Sequence, residues 1–134
     1  MEGGAGDEVY LLMDGVGVMS EVDCNVFELP DGLPGKAEFV EVLAGGDGMR
    51  VERIVSHGHT TPDGEWYDQE ADEWVSLLQG EATLVWADGS KTELEAGDSL
   101  FIEAHRRHRV AWTSREPPFI WIAVHGDLSG AGRR

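Results

Sequence analysis

Apolar and polar positions alternate with a period of two over much of the second half of the chain. Val51, Arg53 and Val55 alternate with Glu52, Ile54 and Ser56, and Ala82, Leu84 and Trp86 alternate with Glu81, Thr83 and Val85. Residues i and i+2 of a strand share a face, so this spacing predicts strands. Trp74–Leu78 is a short apolar run ending at Gly80, and Leu100–Ile102, Arg107–Trp112 and Phe119–Val124 read as three further strands, the last preceded by Pro117-Pro118. Asp88-Gly89 predicts a two-residue hairpin, because both residues tolerate positive φ, with Thr92 and Leu94 continuing beyond it. Ala96-Gly97-Asp98 predicts another turn. Upstream, residues 1–24 hold Gly and acidic residues around one apolar stretch, Val9–Met13, which predicts a flexible extension with a single strand. Residues 25–37 (NVFELPDGLPGKA) contain two prolines and two glycines and predict an irregular connection. Phe39, Val40 and Leu43 share a face at helical spacing, which predicts a short helical turn over residues 37–43, closed by Gly45-Gly46. Many short strands with turn residues between them make an all-β sandwich or barrel over residues 25–125. The tail, 126–134, is expected to be loose.

Composition narrows the class of protein. With 134 residues, one domain is expected, and such a chain buries about two thirds of its unfolded surface. No apolar run approaches the roughly 20 residues that span a bilayer. The start, MEGGAGDEVY, is acidic, unlike a secretory signal, so a cytoplasmic location is expected. The 26 acidic and 10 basic residues leave a net charge of −16. Such a surface argues against nucleic acid, which is held by Lys and Arg at phosphates, and against anionic membranes. The single cysteine, Cys24, excludes an internal disulfide and a cysteine-rich zinc site, and is expected to be a partly buried small apolar residue.

The candidate chemistry begins at His57-Gly58-His59. On a strand these two imidazoles would lie about 7 Å apart on one face, close enough to converge on one ion with metal–nitrogen bonds of about 2.1 Å. Glu73 lies at the start of an apolar strand, with six residues between it and Gly80, and His108 follows the turn-plus-strand unit Gly97–Ile102. These features resemble the two signature motifs of the cupin superfamily. The first runs glycine, five residues, His-x-His, three or four residues, Glu, six residues, Gly. The second runs glycine, five residues, Pro-x-Gly, two residues, His, three residues, Asn. His57, His59, Glu73 and Gly80 match the first motif, and Gly97 and His108 the second, within a resemblance over residues 49–125. It implies a double-stranded β-helix (jelly-roll) barrel and one divalent metal, Zn, Fe, Mn, Ni or Cu, on His57, His59, Glu73 and His108.

The sequence departs from those motifs in several places. Val51 stands at the first glycine, and thirteen residues, TTPDGEWYDQEAD, separate His59 from Glu73. Asp63, Glu65, Asp68, Glu70 and Asp72 in this insert are further carboxylates, but Glu73 alone keeps its spacing to Gly80. Glu103, His105 and Trp112 replace the proline, glycine and asparagine of the second motif. His105 and His125 are candidate substrate contacts, and either takes the ligand role of His59 if the insert displaces it. Tyr67 is a candidate catalytic proton donor. Trp112, four residues past His108 on the same predicted face, is a candidate pocket wall. Arg106, Arg107 and Arg109 form a basic cluster able to attract an anion.

The resemblance thus implies a metal-dependent enzyme acting on a small molecule through an open metal position. Cupins include dioxygenases, lyases, isomerases and decarboxylases, and the alternative is a non-catalytic ligand-binding or sensing module. Small cupins often pair, so a homodimer is expected, with Val9–Met13 as an exchanged edge strand.

Overall fold

A computed structural model describes residues 9–13, 16–33 and 35–128. The chain divides into two compact units, Met1–Pro30 and Asp31–Arg134. In the first, β1 (Val9–Met13) pairs antiparallel with β2 (Val16–Ser20), Met13 opposite Val16. The expected strand Val9–Met13 is therefore present with a partner the pattern did not disclose, because Gly17 interrupts the apolar run. The extreme start, 1–8, and the last six residues of the expected loose tail lie outside the described residues. Cys24 is exposed rather than partly buried.

The second unit is all β. One sheet has the order β3 (Phe39–Gly46), β4 (Met49–Ser56), β10 (Phe119–Gly126), β5 (Asp72–Gln79), β8 (Ser99–Ile102). The other has the order β7 (Lys91–Glu95), β6 (Glu81–Trp86), β9 (His108–Thr113). All pairings are antiparallel. The sheets share one core. Val75, Leu77, Ile102, Phe119, Trp121 and Ala123 come from the larger, and Ala82, Leu84, Trp86 and Leu94 from the smaller. This is a jelly-roll barrel.

Two local expectations change. Residues 39–43 are strand, not helix: Phe39, Glu41 and Leu43 are half-buried while Val40 and Val42 are 50% and 59% exposed. The β-branched residues of Phe-Val-Glu-Val-Leu favour a pleated strand, and pairing with β4 supplies the hydrogen bonds. The tight two-residue hairpin is at Asp47-Gly48 (φ 53° and 79°), joining β3 to β4, where Gly46 faces Met49. Asp88-Gly89 does form a hairpin, but through the four-residue loop Ala87–Ser90, in which the Asp88 carboxylate accepts from the Ser90 N–H at 2.8 Å.

Candidate active site

The site lies on the inner face of the larger sheet. Strand β10 runs between β4 and β5, and its side chains alternate so that Phe119, Trp121, Ala123 and His125 point inward. The antiparallel register sets His125 opposite Glu73 on β5 and Arg50 on β4, and Ala123 opposite Glu52. Two acids and a histidine are thereby brought together from three strands. His125 Nε2–H donates to Glu52 Oε1 at 3.1 Å and lies 3.8 Å from Glu73 Oε2. The side chains of His125, Glu52 and Glu73 are only 8%, 12% and 6% exposed.

The long insert closes another side of the cavity. Tyr67 forms a β-bridge with His108, its N–H donating to His108 O at 2.7 Å and its carbonyl accepting from His108 N–H at 3.1 Å. Thr61 is pinned to Val110 in the same way, N–H to O at 2.9 Å, and His105 N–H donates to Gln69 O at 2.7 Å. The insert thus runs along β9, and Tyr67 and Gln69, two residues apart, both line the cavity. The cavity holds about 180 Å³ between Glu38, Val40, Arg50, Glu52, Ile54, Tyr67, Gln69, Glu73, His108, Val110, Trp121 and His125. The His108 ring packs between Tyr67 and Trp86 at 5.5 and 5.6 Å. Its Nδ1–H donates to Arg106 O at 2.8 Å, which leaves the Nε2 lone pair free.

Burial sets the proton affinities. Burial, and next the negative charge of Glu52, push the Glu73 carboxyl up to about 7, against a hydrogen bond from Gln69 and the nearby Arg50 that pull it down. Burial lowers the pKa of both His108 and His125, so each favours its neutral form. Burial, then Glu38, raises that of Tyr67, which stays a phenol and therefore a proton donor.

The structure does not gather His57, His59, Glu73 and His108 at one point. His57 and His59 lie beyond the end of β4 and do not line the cavity. His59 Nδ1 accepts from the His57 N–H at 2.8 Å and its Nε2–H donates to Lys36 O at 2.8 Å, so both ring nitrogens are occupied. His57 Nε2 lies 3.4 Å from Glu116. The insert is the cause: after His59 the chain needs thirteen more residues to reach Glu73. Counting back three residues from Glu73, the His-x-His positions of the first motif fall on Gln69 and Tyr67. The sequence carries that spacing, but the His-x-His pattern itself occurs at His57-Gly58-His59.

Of the candidate substrate contacts, His125 lines the cavity and His105 and Trp112 do not. His105 sits in a turn with φ 64°, 64% exposed at its side chain, and Nδ1–H donates to Asp68 at 2.8 Å. Trp112 faces outward and is 47% exposed. Thr83 pairs with Trp112 but Leu84 with Val110, so Ala111 is an extra residue in β9. This bulge turns Trp112 out and Thr113 in. Nor is the arginine cluster poised for an anion. Arg106 lies 3.6 Å over the Trp86 ring, Arg107 5.4 Å over Trp66, and Arg109 donates to Thr61 O at 2.8 Å.

Residues 57–125 match the cupin domain family, and the chain belongs to that family. Among solved structures it is similar to a protein of Ralstonia eutropha JMP134 provisionally designated a mannose-6-phosphate isomerase. The two are 40% identical, with 78% of this chain and 97% of that chain covered and a TM-score of 0.71. A cupin superfamily protein of Desulfitobacterium hafniense DCB-2 is 20% identical over 69% of this chain and 80% of its own, with a TM-score of 0.59. The polyketide cyclase RemF of Streptomyces resistomycificus is 21% identical over 69% and 67%, with a TM-score of 0.58. A comparison with curated proteins returns no match.

Cupins commonly bind a metal ion. Here two positions of the family's four-ligand set carry Tyr67 and Gln69 in place of histidine, and the Gln69 amide hydrogen-bonds Glu73. Among the described residues no three His, Cys, Asp or Glu side chains stand in a group able to hold a metal. The residues present do not fit a three-histidine, one-glutamate centre.

Proposed function

We propose that this chain is a cupin enzyme that moves a proton on a small-molecule substrate held in the cavity, with the Glu73 carboxyl as the acid–base group. The carrying observation is the buried constellation itself: Glu73 faces His125 across two paired strands, and His125 is in turn held by Glu52. A general acid–base works best when its proton affinity is near the working pH, and Glu73, at about 7, meets that condition. His125 orients and relays, and the Tyr67 hydroxyl donates from the opposite wall. Proton transfer next to a carbonyl is the chemistry of an isomerase, the class in the designation of the Ralstonia relative.

The test is solvent exchange. Small hydroxy-carbonyl compounds incubated with the protein in deuterium oxide gain deuterium beside the carbonyl, read by mass spectrometry. Glu73→Gln loses this activity about a hundredfold while staying folded. Unchanged exchange in Glu73→Gln, or none with any compound of the set, refutes the reading.

A three-histidine, one-glutamate metal centre would need imidazoles where Tyr67 and Gln69 stand. The double variant Tyr67→His/Gln69→His restores the missing histidines and is expected to purify with about one divalent metal per chain. The unaltered protein is expected to hold less than about a tenth. Elemental analysis of both decides it, and a full metal complement in the unaltered protein returns the site to metal chemistry.

A further inference from the structure

Three carboxyls line the cavity, those of Glu38, Glu52 and Glu73, against one cationic side chain, Arg50. That guanidinium is already paired: its Nε–H donates to Glu52 at 2.6 Å. The remaining arginines of the neighbouring strands are engaged elsewhere. Arg53 is on the other face of β4 and pairs with Glu41 at 2.6 Å, and Arg109 holds the Thr61 carbonyl. No helix N-terminus lies among the described residues to receive an anion. A second, independent feature is an aromatic wall. Trp121 lines the cavity and is only 6% exposed, and its indole N–H has no hydrogen-bond partner. The ring walls the cavity while its nitrogen lies buried, out of reach of solvent.

From these walls we infer the substrate class: a small molecule without phosphate or carboxylate, uncharged or cationic, that packs against the Trp121 ring. This rests on the cavity being the substrate site proposed above. Size limits the class further. At about 180 Å³ the cavity has room for roughly six water volumes, well below the range for drug-sized ligands. Arg50 is a positioning residue that holds Glu52 rather than an anion clamp.

The experiment is a binding measurement by nitrogen-15 NMR on the whole chain, reading the Trp121 indole N–H resonance, assigned through Trp121→Phe. The probes are two skeletons in four charge states: glycerol, 3-amino-1,2-propanediol, glycerate and glycerol 3-phosphate, then benzyl alcohol, benzylamine, benzoate and phenyl phosphate. The uncharged or cationic member of at least one skeleton shifts the indole resonance and binds at least about tenfold more tightly than its anionic counterparts. Trp121→Phe keeps an aromatic wall and therefore keeps the charge preference. Glu38→Gln/Glu52→Gln frees Arg50 and narrows the preference. Tighter binding of an anionic member, or no indole shift with any probe, overturns the inference. The readout needs no turnover, so a charge preference that survives alongside unchanged exchange in Glu73→Gln refutes the acid–base role and leaves the substrate class standing.

Discussion

Gly80→Ala is expected to destabilise the barrel by about 3 kcal/mol or more, whereas Gly89→Ala costs about 1 kcal/mol. Both glycines have φ +89°, so both substitutions carry the same backbone strain. They differ in what a methyl group meets. At Gly89 nothing lies within 4 Å. At Gly80 a Cβ would stand 2.6 Å from Ser114 Oγ, 2.9 Å from Phe119 Cα and 3.2 Å from Pro118 O. Ser114 has little freedom to retreat, since its Oγ accepts from Glu81 N–H at 3.1 Å and donates to Pro117 O at 3.0 Å. The Phe119 contact is backbone at the start of β10, the strand that carries Trp121 and His125. Denaturant unfolding of both variants checks the difference, and equal losses would show that the close approach at Gly80 relaxes freely. The six-residue spacing from Glu73 to Gly80 therefore has a steric meaning: only glycine lets the β5–β6 turn seat against the entry to β10.

The second large effect is on stability against pH, and it belongs to Glu73. Its carboxyl titrates near 7 in the folded chain and near 4.5 in a free one. A raised carboxyl pKa means that the native state holds the proton more tightly than the unfolded state does. The contribution is therefore fully present below pH 4.5, declines between 4.5 and 7, and is gone above. Each pKa unit is worth about 1.4 kcal/mol, so Glu73 accounts for about 3 kcal/mol over that window. His108 and His125, whose values are lowered by burial, act in the opposite sense just below 6.5, because there the unfolded state binds the extra protons. Asp72, held down by N–H donors from Ala104 and Leu128, matters only below its usual value. The difference between the unaltered protein and Glu73→Gln isolates the acid. Chemical denaturation at pH 5 and pH 8 is expected to show Glu73→Gln gaining about 3 kcal/mol relative to the unaltered protein on the alkaline side. A constant difference between the two would mean that Glu73 is solvated in the native state.

Much of the barrel was legible as alternation. The strands at Val51–Ser56 and Ala82–Trp86 follow from period-two spacing, and those at Trp74–Leu78 and Phe119–Val124 from short apolar runs bounded by turn residues. Gly80 and Glu73 follow from their own spacing, as does the position of His108 after the second turn unit. The segment at 39–43 was not legible, because Phe39, Val40 and Leu43 satisfy a helical and an extended reading equally over so short a stretch. Only pairing with β4 separates them.

The alternating pattern of β4 specified two faces without saying which is inside. The polar-looking set Arg50 and Glu52, with Ile54, faces the cavity, while Arg53 on the other face is buried to 2% exposure and paired with Glu41. A count of apolar residues could not decide this, since it depends on what packs against each face. Likewise the bulge at Ala111 turns Trp112 out of the barrel, and a one-residue shift in a period-two pattern leaves no mark in composition. Sequence alone determined the fold class, the turn at Gly80 and the presence of Glu73 and His108, since each depends on spacing within one short segment. Tertiary structure decided that His125, Glu52, Tyr67 and Gln69 join them and that His57 and His59 do not. Convergence of five segments is a matter of strand order and register, which local sequence does not carry.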